Sequence, residues 1–579
     1  MGNLLFVLFL TVGLILNAAA AAAQTDGKDH AKTIVDLQPY RKTVSVRFQG
    51  SGGQTGVATL IDLNPNVRGW YLLQLALPGE PEEVYHLENA SPSSQRISLE
   101  EDNPHGLVIT SGAAKANCRL WGPGAEMDLR QARQSGNAYA PLCGGRLYLR
   151  NHVKGRRTPI ESVSEFLRDK APGGEKVVSF VKDTFFAYLY QRKAEESAVS
   201  GSREGQQPKE MAEGPVPALV SDGQESRFVK PVDLGIDIEG AGPTGMALGA
   251  WYAARGNPGM YASVLVPAEI ALEIMRKDLS TVSPLDSVEM EQLVYLVAFD
   301  LKLFDLHYAL GTDQPGVGWS ARVNPEARRN GLPGPDGIDS SAPLARTGLV
   351  SPLDVASTAA TFTGGFKRRH GAFKYGELSV KNHGSHYGFL EEGVIFSTLE
   401  PGLATIYALT DGRVDMKTWT TEDDRLRPGM ACARQNGVPL VQGFESGRSL
   451  PGALVARWGP GNWSGSGEEK LRTMRAGVGL QELNGKRFLI YAFFWSATPS
   501  AMARVFQAYQ CRYAMLLDMN ALVHTYLALY KRQGAQLYVQ HLIKGMSEDD
   551  ISVKGRYIPR FLGFSDDRDF FYLTRKEKP

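Results

Sequence analysis

Between residues 43 and 149 the chain is a series of short β-type runs, each broken by turn-forming residues, and this punctuation limits what the region can fold into. The runs are Val44-Ser-Val-Arg-Phe48, Val57-Ala-Thr-Leu-Ile61, Trp70-Tyr-Leu-Leu73, Gly106-Leu-Val-Ile-Thr110 and Arg146-Leu-Tyr-Leu-Arg150, with Gly50-Ser-Gly-Gly53 after the first. Strands this short and regularly spaced predict an all-β sandwich or partial barrel. Helical spacing then takes over at residues 162–167 and 175–192, where Val178, Phe180, Val181, Phe185 and Leu189 recur on one face. A β-rich domain closed by helices is therefore expected over residues 40–198.

Residues 200–226 are rich in Gly, Pro, Ser, Gln and Glu and hold few large apolar side chains. Such a stretch buries too little surface to offset the entropy of ordering, so residues 199–228 are expected as a disordered linker. Residues 229–345 mix strand and helix patterns, including a helix near 270–275 and an alternating run at 294–306, and end in a Gly/Pro/Asp/Ser-rich connection at 324–344. This region is expected to join a C-terminal unit at 346–579. The fold class expected is α+β: a β-rich N-terminal domain, a linker, and a mixed α+β C-terminal catalytic-type domain.

The chain opens with an apolar run at residues 4–16 and an Ala run ending at Ala23, before Asp26, Lys28 and Asp29 introduce charge. The run has the length of a secretory h-region and falls short of the ~20 residues of a spanning helix, so residues 1–23 are read as a signal peptide. Export to a secreted or periplasmic location follows, with no membrane span after cleavage. Basic and acidic residues number 63 and 62, a net charge of +1, without the basic patch of a nucleic-acid binder. Nucleic acid is excluded as a partner. The four cysteines divide as Cys118 and Cys143 in the N-terminal region and Cys432 and Cys511 in the C-terminal region, with no zinc spacing. In an oxidising compartment this reads as two intradomain disulfides, with four buried thiols as the alternative.

Gly240-Ala-Gly-Pro-Thr-Gly245 is a literal dinucleotide fingerprint, but Asp237 and Glu239 precede it where phosphate charge would be repelled, and no acid stands at the ribose position about 20 residues on. It is read as a glycine-rich loop, and no cofactor is expected. Four later pieces carry more information. Ala360-Thr-Phe-Thr-Gly-Gly-Phe366 leads into Arg368-Arg-His-Gly371; Ala404 to Val414 is a strand pair around Asp411-Gly412; Cys432-Ala-Arg-Gln-Asn-Gly437 runs into an apolar tail; Arg475-Ala-Gly-Val-Gly479 precedes an apolar strand. That strand enters a helix at Thr498-Pro499, a good N-cap and first-turn pair, and a further strand ends at Leu517-Asp518.

In this order the pieces resemble the phosphodiester glycosidase family, the secreted and lumenal group that includes the uncovering enzyme. The matching residues are Gly364, Gly365 and Phe366; Asp411 and Gly412; Arg434, Gln435, Asn436 and Gly437; Arg475 and Gly479; and Leu517 with Asp518. Thr363 stands where the family has Asn, and Met519-Asn520-Ala521 where it has glycines and a serine. The resemblance implies an exported hydrolase cleaving sugar-phosphodiester or related envelope glycan linkages; a non-catalytic glycan-binding or assembly protein with a degenerate site is the alternative. Asp518, Arg434, Asn436 and His370 are the implied catalytic residues. Asp518 would act as acid/base or stabilise an oxocarbenium-like centre, and His370 would donate a proton. Gly364, Gly365, Arg475, Asn520 and His524 are the implied substrate-binding residues, with guanidinium groups suited to phosphate. No metal ligand set is implied. The resemblance also implies that Cys432 and Cys511 border one site and are bridged.

Overall fold

The computed structural model describes residues 31–50, 53–122, 129–158, 213–221, 227–320, 323–367, 373, 376–381, 388–457, 471–534, 536–554 and 556–576. The signal segment, the helices expected at 162–167 and 175–192, and His370 lie outside them. Among the described residues no helix is long and apolar enough to cross a membrane.

The N-terminal runs form a six-stranded antiparallel sheet in the order Lys42–Gln49, Thr55–Asp62, Trp70–Ala76, Glu83–Asn89, Leu147–Arg150, Tyr139–Leu142. A three-stranded sheet, Gln95–Ser98, Gly106–Ser111 and Ala114–Arg119, packs against it through Val46, Phe48, Leu73, Leu87, Leu107 and Ile109. Cys118 is bonded to Cys143, which ties the small sheet to the end of the large one. Closing a loop with a sequence separation of 25 contributes about 3 kcal/mol in the loop-entropy picture.

The rest of the chain does not form the mixed α+β domain expected from sequence. Seven sheets account for the described strands, and the longest described helix is the ten-residue Pro499–Ala508. The expectation failed because central strands are apolar on both faces. Val294–Asp300 is almost wholly buried, with successive side chains entering two different cores, so the alternation read over 294–306 marks no polar face that would tell this strand from a helix.

The largest sheet has eight strands: Tyr252–Ala253, Met260–Leu265, Val294–Asp300, Lys486–Ala497, Thr473–Leu483, Cys511–Met519, Pro439–Glu445 and Arg448–Pro451. Successive side chains of a strand point to opposite faces. Leu489, Tyr491, Phe493 and Trp495 accordingly enter one core, and Phe488, Ile490, Ala492 and Phe494 the other. The second core is roofed by the Pro499–Ala508 helix, whose start is capped by the Thr498 hydroxyl accepting from Ala501 N at 3.3 Å. Gly477 and Gly479 allow this close packing, since a Cβ at either would sit within 3.0 Å of Phe506 or of Met502 and Cys511 atoms.

The first core is shared with two five-stranded sheets. One runs Phe304–Ala309, Phe570–Arg575, Thr358–Thr363, Leu527–Gln533, Gln536–His541; the other runs Val394–Ser397, Phe389–Glu391, Met430–Gln435, Ala404–Leu409, Val414–Thr418. Ile34, Ile61, Trp70 and Leu72 of the N-terminal region enter the same core. The described part of the linker region, residues 213–221, also packs on the C-terminal part: Leu219 N donates to Ala508 O at 2.8 Å and Ala218 is buried. The 240–245 glycine loop leads into the two-residue strand Met246–Ala247 and not into a helix.

Cys432 and Cys511 are buried free thiols, so the bridge expected between them is not formed. They belong to different cores. The Cys432 thiol faces the Leu306 carbonyl at 3.7 Å, whereas Cys511 lies on the helix side of the large sheet beside Gly479.

Candidate functional site

Most of the candidate residues collect where several antiparallel strands end together: Thr358–Thr363, Met430–Gln435 and Cys511–Met519 finish there, and Phe570–Arg575 begins there. These strands belong to three different sheets, and the packing of the sheets brings Gly364, Gly365, Asn436 and Asp518 near one another. A segment that sequence reasoning missed, Asp566-Asp-Arg-Asp569, binds them.

Arg434 is fully buried. Its Nε donates to Asp569 Oδ2 at 2.7 Å, Nη1 to the Gln435 carbonyl at 2.6 Å and Nη2 to the Phe366 carbonyl at 2.9 Å. Asp569 Oδ2 also accepts from the Tyr308 hydroxyl at 2.8 Å and from Gly365 N at 3.4 Å, while its carbonyl accepts from Gly364 N at 2.9 Å. Burial and the Asp569 charge push the Tyr308 phenol well above its usual pKa, so it remains a donor. A Cβ on Gly365 would lie 2.8 Å from Arg434 Nη2 and one on Gly364 2.6 Å from Asp569 Oδ2, which explains the glycine pair. Asn436, also fully buried, spends its amide nitrogen on the carbonyls of Leu516 and Leu517 at 2.7 and 2.8 Å, and its oxygen accepts from Phe366 N at 3.3 Å. Arg434 and Asn436 therefore lock the Gly364-Gly365-Phe366 turn to the strand carrying Asp518.

Asp518 reaches the edge of this scaffold. Its Oδ1 accepts from Met519 N at 2.8 Å and its Oδ2 from Arg568 Nη1 at 2.6 Å. Arg568 Nη2 stands 2.7 Å from His524 Nε2, and His524 Nδ1 stands 2.7 Å from the Met519 carbonyl. A carbonyl only accepts and a guanidinium only donates, so His524 carries its proton on Nδ1 and offers a lone pair at Nε2. One guanidinium thus spans a carboxylate and a neutral imidazole. The imidazole is half-buried, the part of the group nearest solvent.

Asn520 lies between them in the left-handed region, at φ 79°, with its N donating to the Met474 carbonyl at 2.8 Å and its Oδ1 accepting from the Thr473 hydroxyl at 3.0 Å. Asn tolerates this conformation better than most residues. Thr363 donates its hydroxyl to the His524 carbonyl at 2.6 Å. Arg475 is in register beside Met519, but its Nε and Nη2 donate to the carbonyls of Ala497 and Leu471 at 2.7 and 3.0 Å rather than to Asp518. Burial pulls this guanidinium down to about 9, an effect that the Glu289 charge opposes.

The Asp566–Asp569 segment is gripped by glycines from distant parts of the chain. A Cβ on Gly155, Gly311 or Gly348 would come within 2.6 Å of its backbone. Asp566 forms a two-point ion pair with Arg560, at 2.8 and 3.0 Å, and Asp567 accepts from Lys367 Nζ at 2.7 Å and Arg157 Nε at 2.6 Å. The available signal was three acids and an arginine immediately before the apolar Phe570-Phe-Tyr-Leu573, where exposed loop residues would otherwise be expected. Among the described residues no group of three or more His, Cys, Asp and Glu side chains could hold a metal ion.

No protein-family model matches the sequence, and no curated protein does. Several solved structures are similar at low score, three of them as follows. The zebrafish N-acetylglucosamine-1-phosphodiester alpha-N-acetylglucosaminidase catalytic domain, auto-inhibited by its pro-peptide, is 11% identical with a TM-score of 0.28, covering 65% of this chain and 100% of that one. A Burkholderia pseudomallei protein described as exported is 10% identical with a TM-score of 0.19, covering 58% and 85%. A Synechocystis protein is 10% identical with a TM-score of 0.23, covering 92% and 99%. At such scores none of the three bears on what this chain does.

Proposed function

We propose that the protein is an exported hydrolase that cleaves the bond between a sugar's anomeric carbon and a phosphodiester oxygen, with Asp518, His524 and Arg568 as the reacting group. The observation that carries the reading is the single Arg568 guanidinium between the Asp518 carboxylate and the His524 imidazole, at a shared end of the strands. Export is supported by the apolar leader and by the Cys118–Cys143 bond, which belongs to an oxidising compartment.

The chemistry asks for negative charge beside an oxocarbenium-like carbon and positive charge beside the departing phosphate. Asp518 supplies the first and Arg568 the second. Water adds to the anomeric carbon as the carbon–oxygen bond breaks. The proton that water loses passes to Asp518, and the phosphate leaves as a monoester. Arg434 and Asn436 act through the scaffold as positioning residues: they fix the Asp518 strand against the Gly364-Gly365 turn and do not face the substrate. Asn520 holds the left-handed turn in the stretch where the family carries glycines, which keeps Met519 O on His524.

The same observations allow a second reading, in which the site binds a glycan without turnover, because both functional groups are already hydrogen-bonded to Arg568 and the glycine run is missing. Purified protein and a chromogenic sugar-1-phosphodiester separate the two. Hydrolysis that falls about 100-fold or more in Asp518→Asn supports catalysis at this group. Tight binding of the compound with no release of chromophore by the wild type favours the binding protein and removes the hydrolase.

A further inference from the structure

A cavity of about 610 Å³ is lined by the strap His152-Val-Lys-Gly-Arg-Arg157 together with Thr312, Asp313 and Asp567. The volume is within the range of about 300–1,000 Å³ that takes a small organic ligand. The site is built, not incidental. Gly155 has no Cβ because one would lie 2.3 Å from Thr312 Oγ1 and 2.5 Å from the Asp566 backbone; its N donates to Thr312 Oγ1 at 2.9 Å, and Arg156 N donates to the Ser565 carbonyl at 2.9 Å. The strap is thereby pinned against the segment that carries Arg568.

Charge in the cavity is arranged in two layers. At its floor Asp313 and Asp567 are paired with Lys367 and Arg157, at distances of 2.6 to 3.2 Å. Toward solvent stand Lys154 and Arg156, both exposed and neither in an ion pair among the described residues. The rim is therefore positive. One polar atom at the floor is left over: Asp567 is 1% exposed, lines the cavity, and its Oδ1 has no hydrogen-bond partner. A buried carboxylate oxygen without a donor is destabilising, a deficit that a ligand hydroxyl would remove.

We propose that this cavity binds an anionic saccharide residue, with a sugar hydroxyl donating to Asp567 Oδ1 and the negative group, phosphate or carboxylate, held by Lys154 and Arg156. Neutral sugars lack the rim contact, and inorganic phosphate is too small to hold its charge at the rim and a hydroxyl at the floor together. Asp567 directly precedes Arg568 in the segment that carries part of the proposed reacting group. The inference rests on the proposed reaction only in making this ligand part of the substrate; the binding itself does not depend on turnover.

Calorimetry tests it on the full-length protein carrying Asp518→Asn, so that loss of hydrolysis cannot hide or imitate binding. The probes are glucose 6-phosphate, glucuronate, glucose and inorganic phosphate. Either charged sugar should bind about tenfold or more tightly than glucose and than inorganic phosphate, and which of the two binds identifies the anionic group. The double variant Lys154→Glu/Arg156→Glu, whose side chains are exposed and of which only Arg156 rests on a ring, that of Phe564 at 5.2 Å, should abolish that preference while its unfolding midpoint stays close to the parent value. Equal binding of glucose, binding of inorganic phosphate as tight as that of the sugars, no binding of either charged sugar, or a preference that survives the charge reversal would each overturn the proposal. A supported cavity alongside an inactive wild type would leave the binding assignment standing and remove only the hydrolase.

Discussion

Two fully buried arginines, Arg434 and Arg150, solve the same problem differently. Arg434 has one carboxylate, Asp569, and two carbonyls within 2.9 Å, and Asp569 is itself fed by Tyr308 and Gly365. Arg150, at the end of the N-terminal strand Leu147–Arg150, faces three glutamates: Glu391, Glu88 at 3.4 Å and Glu392 at 3.6 Å, with the Trp70 ring 3.6 Å away. Its Nε and Nη1 and the Glu88 Oε2 have no hydrogen-bond partner. The first cluster balances its charge and fixes geometry. The second carries an excess of acid in the seam between the N-terminal sheet and the strand Phe389–Glu391, so its stability depends on protons.

That difference can be broken in order of size. Replacing Arg434 with Met strands the buried Asp569 charge and should cost about 3–5 kcal/mol in chemical unfolding, at any pH from 5 to 8. A loss below 1 kcal/mol would mean that Arg434 does not hold the turn. The Arg150 seam should respond to pH instead. Burial, partly opposed by Arg150, pushes Glu88 from its ordinary 4.5 up to about 7. The folded chain then holds a proton that the unfolded chain releases, so the stabilisation is complete below about pH 4.5 and is lost as pH rises through 7, on the order of 2–3 kcal/mol. Unfolding midpoints that rise over this window would contradict the assignment. Smaller still is Glu88→Gln, which keeps the shape and removes the titration. It should make the decline shallower and leave the variant about 1 kcal/mol more stable than the wild type at pH 8, the remaining slope belonging to Glu392, which burial and the Glu88 charge push well above the usual carboxylate range.

The parts of this structure that sequence made legible are those carried by local chemistry. The N-terminal strands stand where their turn residues placed them, the Asp411-Gly412 turn is made with Gly412 at φ 79°, and Thr498-Pro499 starts the helix. Gly364, Gly365, Arg434, Asn436 and Asp518 could be named because their spacing resembles a known series. What each one does was not legible, since direction depends on partners far along the chain. Arg434 turns inward because Asp569, 135 residues away, takes its Nε. The Asp566–Asp569 segment gives no local signal of burial, because what admits it is glycine at 155, 311, 348 and 364. Of the two expected bridges Cys118–Cys143 formed and Cys432–Cys511 did not, for a related reason: the faces of the large sheet keep those two thiols in different cores.

The central claim is a division of labour, in which Arg434 holds the site and Asp518 acts in it. Turnover of a chromogenic sugar-1-phosphodiester, measured beside the unfolding midpoint for Asp518→Asn and Arg434→Lys, tests it most directly. The account predicts that Asp518→Asn loses turnover about 100-fold or more per folded molecule, beyond the stability lost with its buried ion pair to Arg568. It also predicts that Arg434→Lys loses stability first and keeps most of the turnover of whatever remains folded. Turnover that persists in Asp518→Asn but vanishes in folded Arg434→Lys would contradict it.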